Sequence, residues 1–345
     1  MKKNIFFCLC LLQFISSCVW GQVTSLGLQI DSLLKTNTSQ PFNGVILISQ
    51  NGNTIYSKAV GYSDLSTKTP LQLNDQFVIG SISKQVTAVL TLQELDKGHL
   101  QLNESIFTYL PYLKKFWPQD TITIQQLLSH THGIAIYGKP LKFKPGTQYD
   151  YSQVGYEMLG RIITKTSNKP YYAAVEELFG KCKMTNSWHP DFKKHKLVKA
   201  YTKQENDSLV IETRSLENYP EAGSLISTAE DLAKWNTCLH EGSLLRKSTY
   251  EQMITKQKNA ILNHPIFGQT TYGLGPTIST DGGIVQLGQS GFAPGFASFN
   301  FYLPEKKVSV IVLENVVYNP DDLKQTFYVH TAILDLVKKS FYTKH

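Results

Sequence analysis

Cysteine is scarce in these 345 residues. There are five, and Cys8, Cys10 and Cys18 all fall near the start. If the first 21 residues are removed, only Cys182 and Cys238 remain. Two cysteines make no disulfide framework, and the sequence leaves open whether they pair. After the first residues no apolar run approaches ~18 residues, so no membrane-spanning helix is expected. There is no internal repeat and no low-complexity tract, which excludes solenoids and disordered arrays. No Cys/His cluster has metal-ligand spacing. In "SHTH", His130 and His132 stand two apart and would face opposite sides of a helix, so a turn or capping role is expected for them. Long runs of like charge are missing too. The densest basic patches, "KCK" and "KKHK" within 181–196, read as solvated faces rather than a nucleic-acid surface.

What is present is an ordinary globular composition, with 41% hydrophobic and 18% charged residues. The length suits one large domain or two moderate ones. Lys2 and Lys3 precede the short apolar run "IFFCLCLLQFI", and "CVWGQ" offers small residues before Gln22. This pattern predicts a signal peptide over 1–21 and an exported, periplasmic or secreted mature chain. The alternative is a lipobox, "ISSC", with Cys18 lipidated; membrane attachment is expected only in that case. Loss of two lysines lowers the formal charge from +7 to 7 − 2 = +5, a mild excess. Asn37, Asn103 and Asn206 open N-x-Ser sequons, which carry little weight beside a leader that could be bacterial.

The apolar pattern predicts an amphipathic helix over 24–36. "FNGVILIS" and "TIYSKAVGY" flank Asn51-Gly52, a strong hairpin signal. A helix follows Ser81, and Gly98 is placed to end it. "TITIQQLLSHTHG" reads as a short helix closed by Gly133. Pro145-Gly146 breaks the chain before another helix, and Ser227 or Thr228 caps a third. Residues 100–240 read as mostly helical. "ASFNFYLP" and "KKVSVIVLEN" read as strands, and a final helix follows Pro320. Strands at both ends with helices between them predict an α+β fold with one antiparallel sheet. The expected division is a sheet subdomain from 22–80 and 240–345 around a helical subdomain at 81–239, all one domain over 22–345.

Ser81 and Lys84 carry the chemistry. Residues three apart share a helix face, so Lys84 can reach the Ser81 hydroxyl. The helix start favours negative charge nearby. A lysine pressed among apolar side chains loses its proton more readily and becomes a base. Alone, Ser-x-x-Lys is a weak signal, because the pattern arises by chance and a first-turn lysine is usually a surface group.

Five segments in order change that balance: "GVILISQNGNTIYSKAVGY", "FVIGSISKQVTA", "TIQQLLSHTHGI", "PGTQYDYSQVGYEMLG", and the closing pair "EAGSLISTAEDLAKW" and "YGLG…GQSGFAPGF". Together they resemble the serine β-lactamase and penicillin-binding protein superfamily, in its class C β-lactamase-related branch of D-Ala-D-Ala carboxypeptidases, esterases and peptidases. The resemblance runs from about Pro41 to Glu314. It implies the β-lactamase/transpeptidase-like fold, in which an antiparallel sheet flanked by helices holds an inserted, mostly helical subdomain. It implies Ser81 as nucleophile, Lys84 as its proton acceptor and Tyr151 as second base and acid. It implies an oxyanion hole from the backbone N–H groups of Ser81 and Phe292. Gln153, Gln289, Ser290 and Gly291 would contact substrate. No metal or organic cofactor is implied.

Two positions depart from the family. Gln153 stands where an Asn is usual, and Gln289 where a Lys or His is usual. A neutral amide at 289 neither attracts a carboxylate nor lowers the Tyr151 pKa. The expected function is therefore an exported serine hydrolase acting on an ester or peptide-like amide through acyl-Ser81. The alternatives are a penicillin-binding protein, carboxypeptidase or β-lactamase, or a decayed scaffold. "GQSGF" is not a nucleophile elbow, because Phe292 replaces the second glycine. The expected partner is a small or peptide-like substrate. The Lys- and Asn-rich stretch 181–215 is expected to border the cleft.

Overall fold

The computed structural model describes residues 24–36, 40–118, 121–190, 196–213, 219–242 and 244–343. The expected signal segment and the Asn37 sequon lie outside them. Among the described residues no helix is long and apolar enough to cross a membrane.

Eight strands form one antiparallel sheet. They are β1 (Gly44–Gln50), β2 (Asn53–Val60), β3 (Ile261–His264), β4 (Gly268–Tyr272), β5 (Thr277–Ser279), β6 (Gln286–Ala293), β7 (Phe296–Leu303) and β8 (Val308–Glu314). Their spatial order is β2-β1-β8-β7-β6-β5-β4-β3, so the two ends of the chain meet at the β1–β8 pair, where Gly44 faces Glu314. Asn51 and Gly52 both take positive φ, 50° and 75°, as a tight primed hairpin turn requires.

β1 and β8 read as apolar runs because both sheet faces are covered. Ile46, Ile48, Phe299, Val310 and Val312 pack with Leu26 and Ile30 of helix α1 (24–36) and with Ile333, Leu334 and Val337 of the C-terminal helix Tyr328–Tyr342. Val45, Leu47, Ile311 and Leu313 face the other way, into the larger core. At ~1.5–3 kcal/mol per fully buried aliphatic side chain, these two layers dominate the folding energy.

The larger core holds helix α2 (Ser83–Asp96), α3 (Ile124–Leu128), α4 (Gln153–Ser167), α5 (Tyr171–Lys181) and α6 (Ala229–His240). α2 is central: every residue from Ser83 to Leu92 is buried, so it shows no polar face to periodicity analysis. The expected helix start is shifted. Ser81 lies on a 3-10 turn, Gly80–Ile82, that leads into α2. Thr228 caps α6 by accepting the Asp231 N–H, and α6 packs on β1 and β8. Cys182 and Cys238 are joined in a disulfide that ties the end of α5 to α6.

Two expectations need correction. α3 does not run to Gly133. It ends at Leu128, and His130 takes φ +58°, which turns the chain into an irregular loop before the glycine is reached. The middle of the chain also contains short strands, Tyr201–Lys203, Leu209–Ile211 and Ile226–Ser227.

Candidate active site

The Gly80–Ile82 turn is fixed from two sides. Phe77–Val78 pairs with Ile226–Ser227, and Ile79 N–H donates to the Leu225 carbonyl. Ser83 Oγ donates to the Gly80 carbonyl at 2.7 Å and accepts the Leu225 N–H at 3.2 Å. The turn then presses on β6. A Cβ on Gly80 would stand 2.5 Å from the Phe292 nitrogen, and a Cβ on Gly291 would stand 2.0 Å from the Ile79 carbonyl oxygen. Gly80 also holds φ +55°, which disfavours a side chain there. Two glycines thus bring the backbone of Ser81 and that of Phe292 side by side.

Lys84 is fully buried. Its Nζ lies 3.2 Å from Ser81 Oγ and donates to the Ala222 carbonyl at 2.6 Å. Burial lowers its pKa from 10.5 to about 7, so a large share of it is uncharged at neutral pH. The Tyr151 ring lies 4.7 Å from Nζ, and its hydroxyl donates to Ser81 Oγ at 2.6 Å. Desolvation pushes the Tyr151 hydroxyl well above its usual pKa, against smaller opposing effects of Ser81 and Gln289. Tyr151 therefore holds its proton at rest, and Lys84 is the available base.

His130 and His132 organise the loop that carries Tyr151. His130 Nδ1 accepts the Ser152 N–H at 3.2 Å, and the His130 carbonyl accepts the Asp150 N–H. The His130 ring lies 4.5 Å from that of Tyr151 and 4.8 Å from that of Tyr272. His132 Nδ1 accepts the Ile134 N–H at 3.0 Å. Burial lowers both pKa values, so the rings stay neutral. The turn role expected of them is the role they have.

Ser81, Tyr151, Gln153, Gln289, Ser290 and Phe292 line one cavity of about 570 Å3. Gln289 is buried and accepts the Tyr272 hydroxyl at 3.4 Å. Gly291 lies against the nucleophile turn. The remaining wall comes from Tyr149 and Asp150, the β3–β4 hairpin, Thr277 of β5, and Leu323 and Phe327. None of the described residues of 181–215 lines it, contrary to expectation. There Tyr201–Lys203 and Leu209–Ile211 pair with each other, and the first of them also with Val316–Val317. Sequence reading missed the hairpin contribution, including His264, because β3 is a four-residue strand with no strong period.

Residues 35–334 match the beta-lactamase family. The chain belongs to that family, whose members are serine hydrolases. It is similar to PbpX of Bacillus subtilis (strain 168), 28% identical over 300 residues that make up 81% of this chain and 72% of that protein. It is 27% identical to protein flp of Staphylococcus aureus (strain NCTC 8325 / PS 47), over 84% of this chain but only 63% of flp. Its fold matches D-amino acid amidase from Ochrobactrum anthropi SV3 complexed with D-phenylalanine, with a TM-score of 0.79 at 20% identity, over 92% of this chain and 99% of the amidase.

Proposed function

We propose that the protein cleaves an ester or amide bond through an acyl-Ser81 intermediate, on substrates without a carboxylate beside the scissile bond. The observation that carries this is the convergence of Lys84 Nζ and the Tyr151 hydroxyl on Ser81 Oγ, at 3.2 and 2.6 Å.

The proton path follows from the two pKa shifts. Neutral Lys84 takes the Ser81 proton as Oγ attacks the carbonyl carbon. The N–H groups of Ser81 and Phe292 receive the developing oxyanion, helped by the positive end of α2. Tyr151 gives its proton to the leaving oxygen or nitrogen and is reprotonated from Lys84. Water then attacks the acyl carbonyl, the same groups run in reverse, and the acid leaves with Ser81 restored.

Gln289 supports the limit on substrate. It lies beside the Tyr151 hydroxyl and carries no charge, so this side chain offers a carboxylate no ionic partner. This weighs against a D-Ala-D-Ala carboxypeptidase or an efficient β-lactamase. The intact Ser81–Lys84–Tyr151 set weighs against a decayed scaffold. Export through residues 1–21 belongs to the same proposal, and N-terminal sequencing of the mature protein tests it.

The test is turnover of a p-nitrophenyl short-chain ester by wild type and Ser81→Ala. The variant should lose turnover and keep its circular dichroism spectrum and melting temperature. Retention of more than a trace of activity would remove Ser81 from the mechanism.

A further inference from the structure

β3 ends in His264, which is 8% exposed although its strand borders the cavity. The Ile266 N–H donates to His264 Nδ1 at 3.1 Å. Nδ1 is thus the acceptor nitrogen, and Nε2 carries the ring proton. Nε2 lies 3.3 Å from Ser290 Oγ. The imidazole is braced by Phe267, 4.9 Å away ring to ring, and Phe267 packs in turn on Phe299 and Phe301. The donor is therefore held by the core of the sheet and not by a mobile surface contact.

The consequence concerns the Ser290 proton. A hydroxyl that accepts from Nε2–H has its own proton free to donate elsewhere. Ser290 lines the cavity beside neutral Gln289, so that proton is within reach of a bound group there. Apolar side chains, Ile261, Ile266 and Leu323, share the lining with polar ones such as Gln153, Asn263 and Thr277. Among the described lining residues Asp150 is the one acid, no lysine or arginine joins it, and it pairs with Lys142 at 2.7 Å. A hydroxyl donor beside apolar walls, with no cation, fits an uncharged carbonyl next to an apolar group.

We propose that His264 is a specificity-determining residue that acts by positioning Ser290. Its Nε2–H turns the Ser290 hydroxyl toward the cavity as a donor to a carboxamide or ester carbonyl, and the apolar walls take the side group beside that carbonyl. The substrate class is a carboxyl-blocked, apolar-substituted ester or amide. This rests on the hydrolase reading above.

The test uses two acetyl esters, of phenyllactamide and of 1-phenyl-2-propanol, each in both configurations. They differ only in a carboxamide against a methyl group, which offers the Ser290 hydroxyl no acceptor. The readout is the ratio of their kcat/KM values in wild type, His264→Phe, His264→Gln and Ser290→Ala. Wild type should favour the carboxamide by about tenfold, the scale of one well-placed hydrogen bond in a desolvated site. His264→Phe and Ser290→Ala should bring the ratio toward one. His264→Gln, which keeps a side-chain N–H donor, should restore most of it. A purely structural role for His264 would lower both kcat/KM values together and leave the ratio alone, which overturns the proposal. A wild-type ratio of one, or a preference for the methyl analogue, overturns it too. If His264→Phe does not fold, His264→Leu, which removes the donor with less bulk, is read in its place. Wild-type failure on p-nitrophenyl acetate would instead sink the hydrolase reading itself.

Discussion

Lys84 Nζ lies 3.2 Å from Ser81 Oγ and 2.6 Å from the Ala222 carbonyl oxygen, where solvent does not reach it. Burial brings its pKa to about 7. Acylation should therefore rise with pH through about 7, as Lys84 loses its proton, and level off above. Lys84→Met keeps the apolar stem and removes the base. It should slow acylation by about 10²–10⁴-fold, the usual range for a general base. Stopped-flow acylation by a p-nitrophenyl ester over pH 5.5–9 reads both effects. A flat profile in wild type would show that Lys84 is not the base.

Gly80 tests the oxyanion hole without touching a reacting side chain. Ala at this position would push its Cβ toward the Phe292 nitrogen and strain the φ of +55°. Gly80→Ala should lower kcat by about 10²–10³-fold, as loss of one oxyanion donor does. It should also lower the melting temperature. Normal kcat in a folded variant would mean that Phe292 N–H takes no part.

Gln289→Lys should place a cation next to the Tyr151 hydroxyl. Acylation by penicillins and other carboxylate-bearing compounds should then become faster than in wild type. Intact-mass time courses with benzylpenicillin check this. If wild type already turns over nitrocefin efficiently, the neutral residue at 289 is no barrier and the substrate limit fails.

Glu314 lies behind the sheet, with Oε2 3.4 Å from His330 Nδ1. Burial raises its pKa from 4.5 to about 8 and lowers that of His330 to about 3. The folded state thus holds a proton on Glu314 that the unfolded chain has released above pH 4.5. That contribution to stability is complete below pH 4.5 and is lost as pH rises toward 8. Histidine titration complicates the range below 6.5, so pH 6.5–8 is the clean window. There the stability of wild type relative to Glu314→Gln should fall with pH, by no more than about 1.4 kcal/mol per unit. Urea melts at three pH values measure it. A constant difference would show that Glu314 is ionised in the fold.

The hairpin at Asn51-Gly52, the strands 296–303 and 308–314 and the cap at Thr228 were legible because each rests on local chemistry: a turn dipeptide, an apolar run, a hydroxyl before acids. The Ser81–Lys84 contact was legible from their spacing, even though Ser81 precedes the α-helix. Tyr151 was different. It is one of eighteen tyrosines, and only its resemblance to a family segment singled it out. What places it is the turn at His130, whose φ of +58° no local pattern announces. The stretch 181–215 misled because a polar, basic composition says that a segment is exposed but not which cavity it faces. His264 was invisible for the complementary reason. Its partner Ser290 is 26 residues away, on a strand separated from β3 by β4 and β5, so neither a local pattern nor strand pairing announces the contact.

The most direct test of the central claim is the intact mass of residues 22–345 mixed rapidly with a p-nitrophenyl short-chain ester, beside Ser81→Ala. The account predicts a burst of p-nitrophenol and an acyl mass increment on wild type, mapped to the Ser81 peptide, with neither on the variant. Steady turnover with no adduct on Ser81, or the same adduct on the variant, would contradict it.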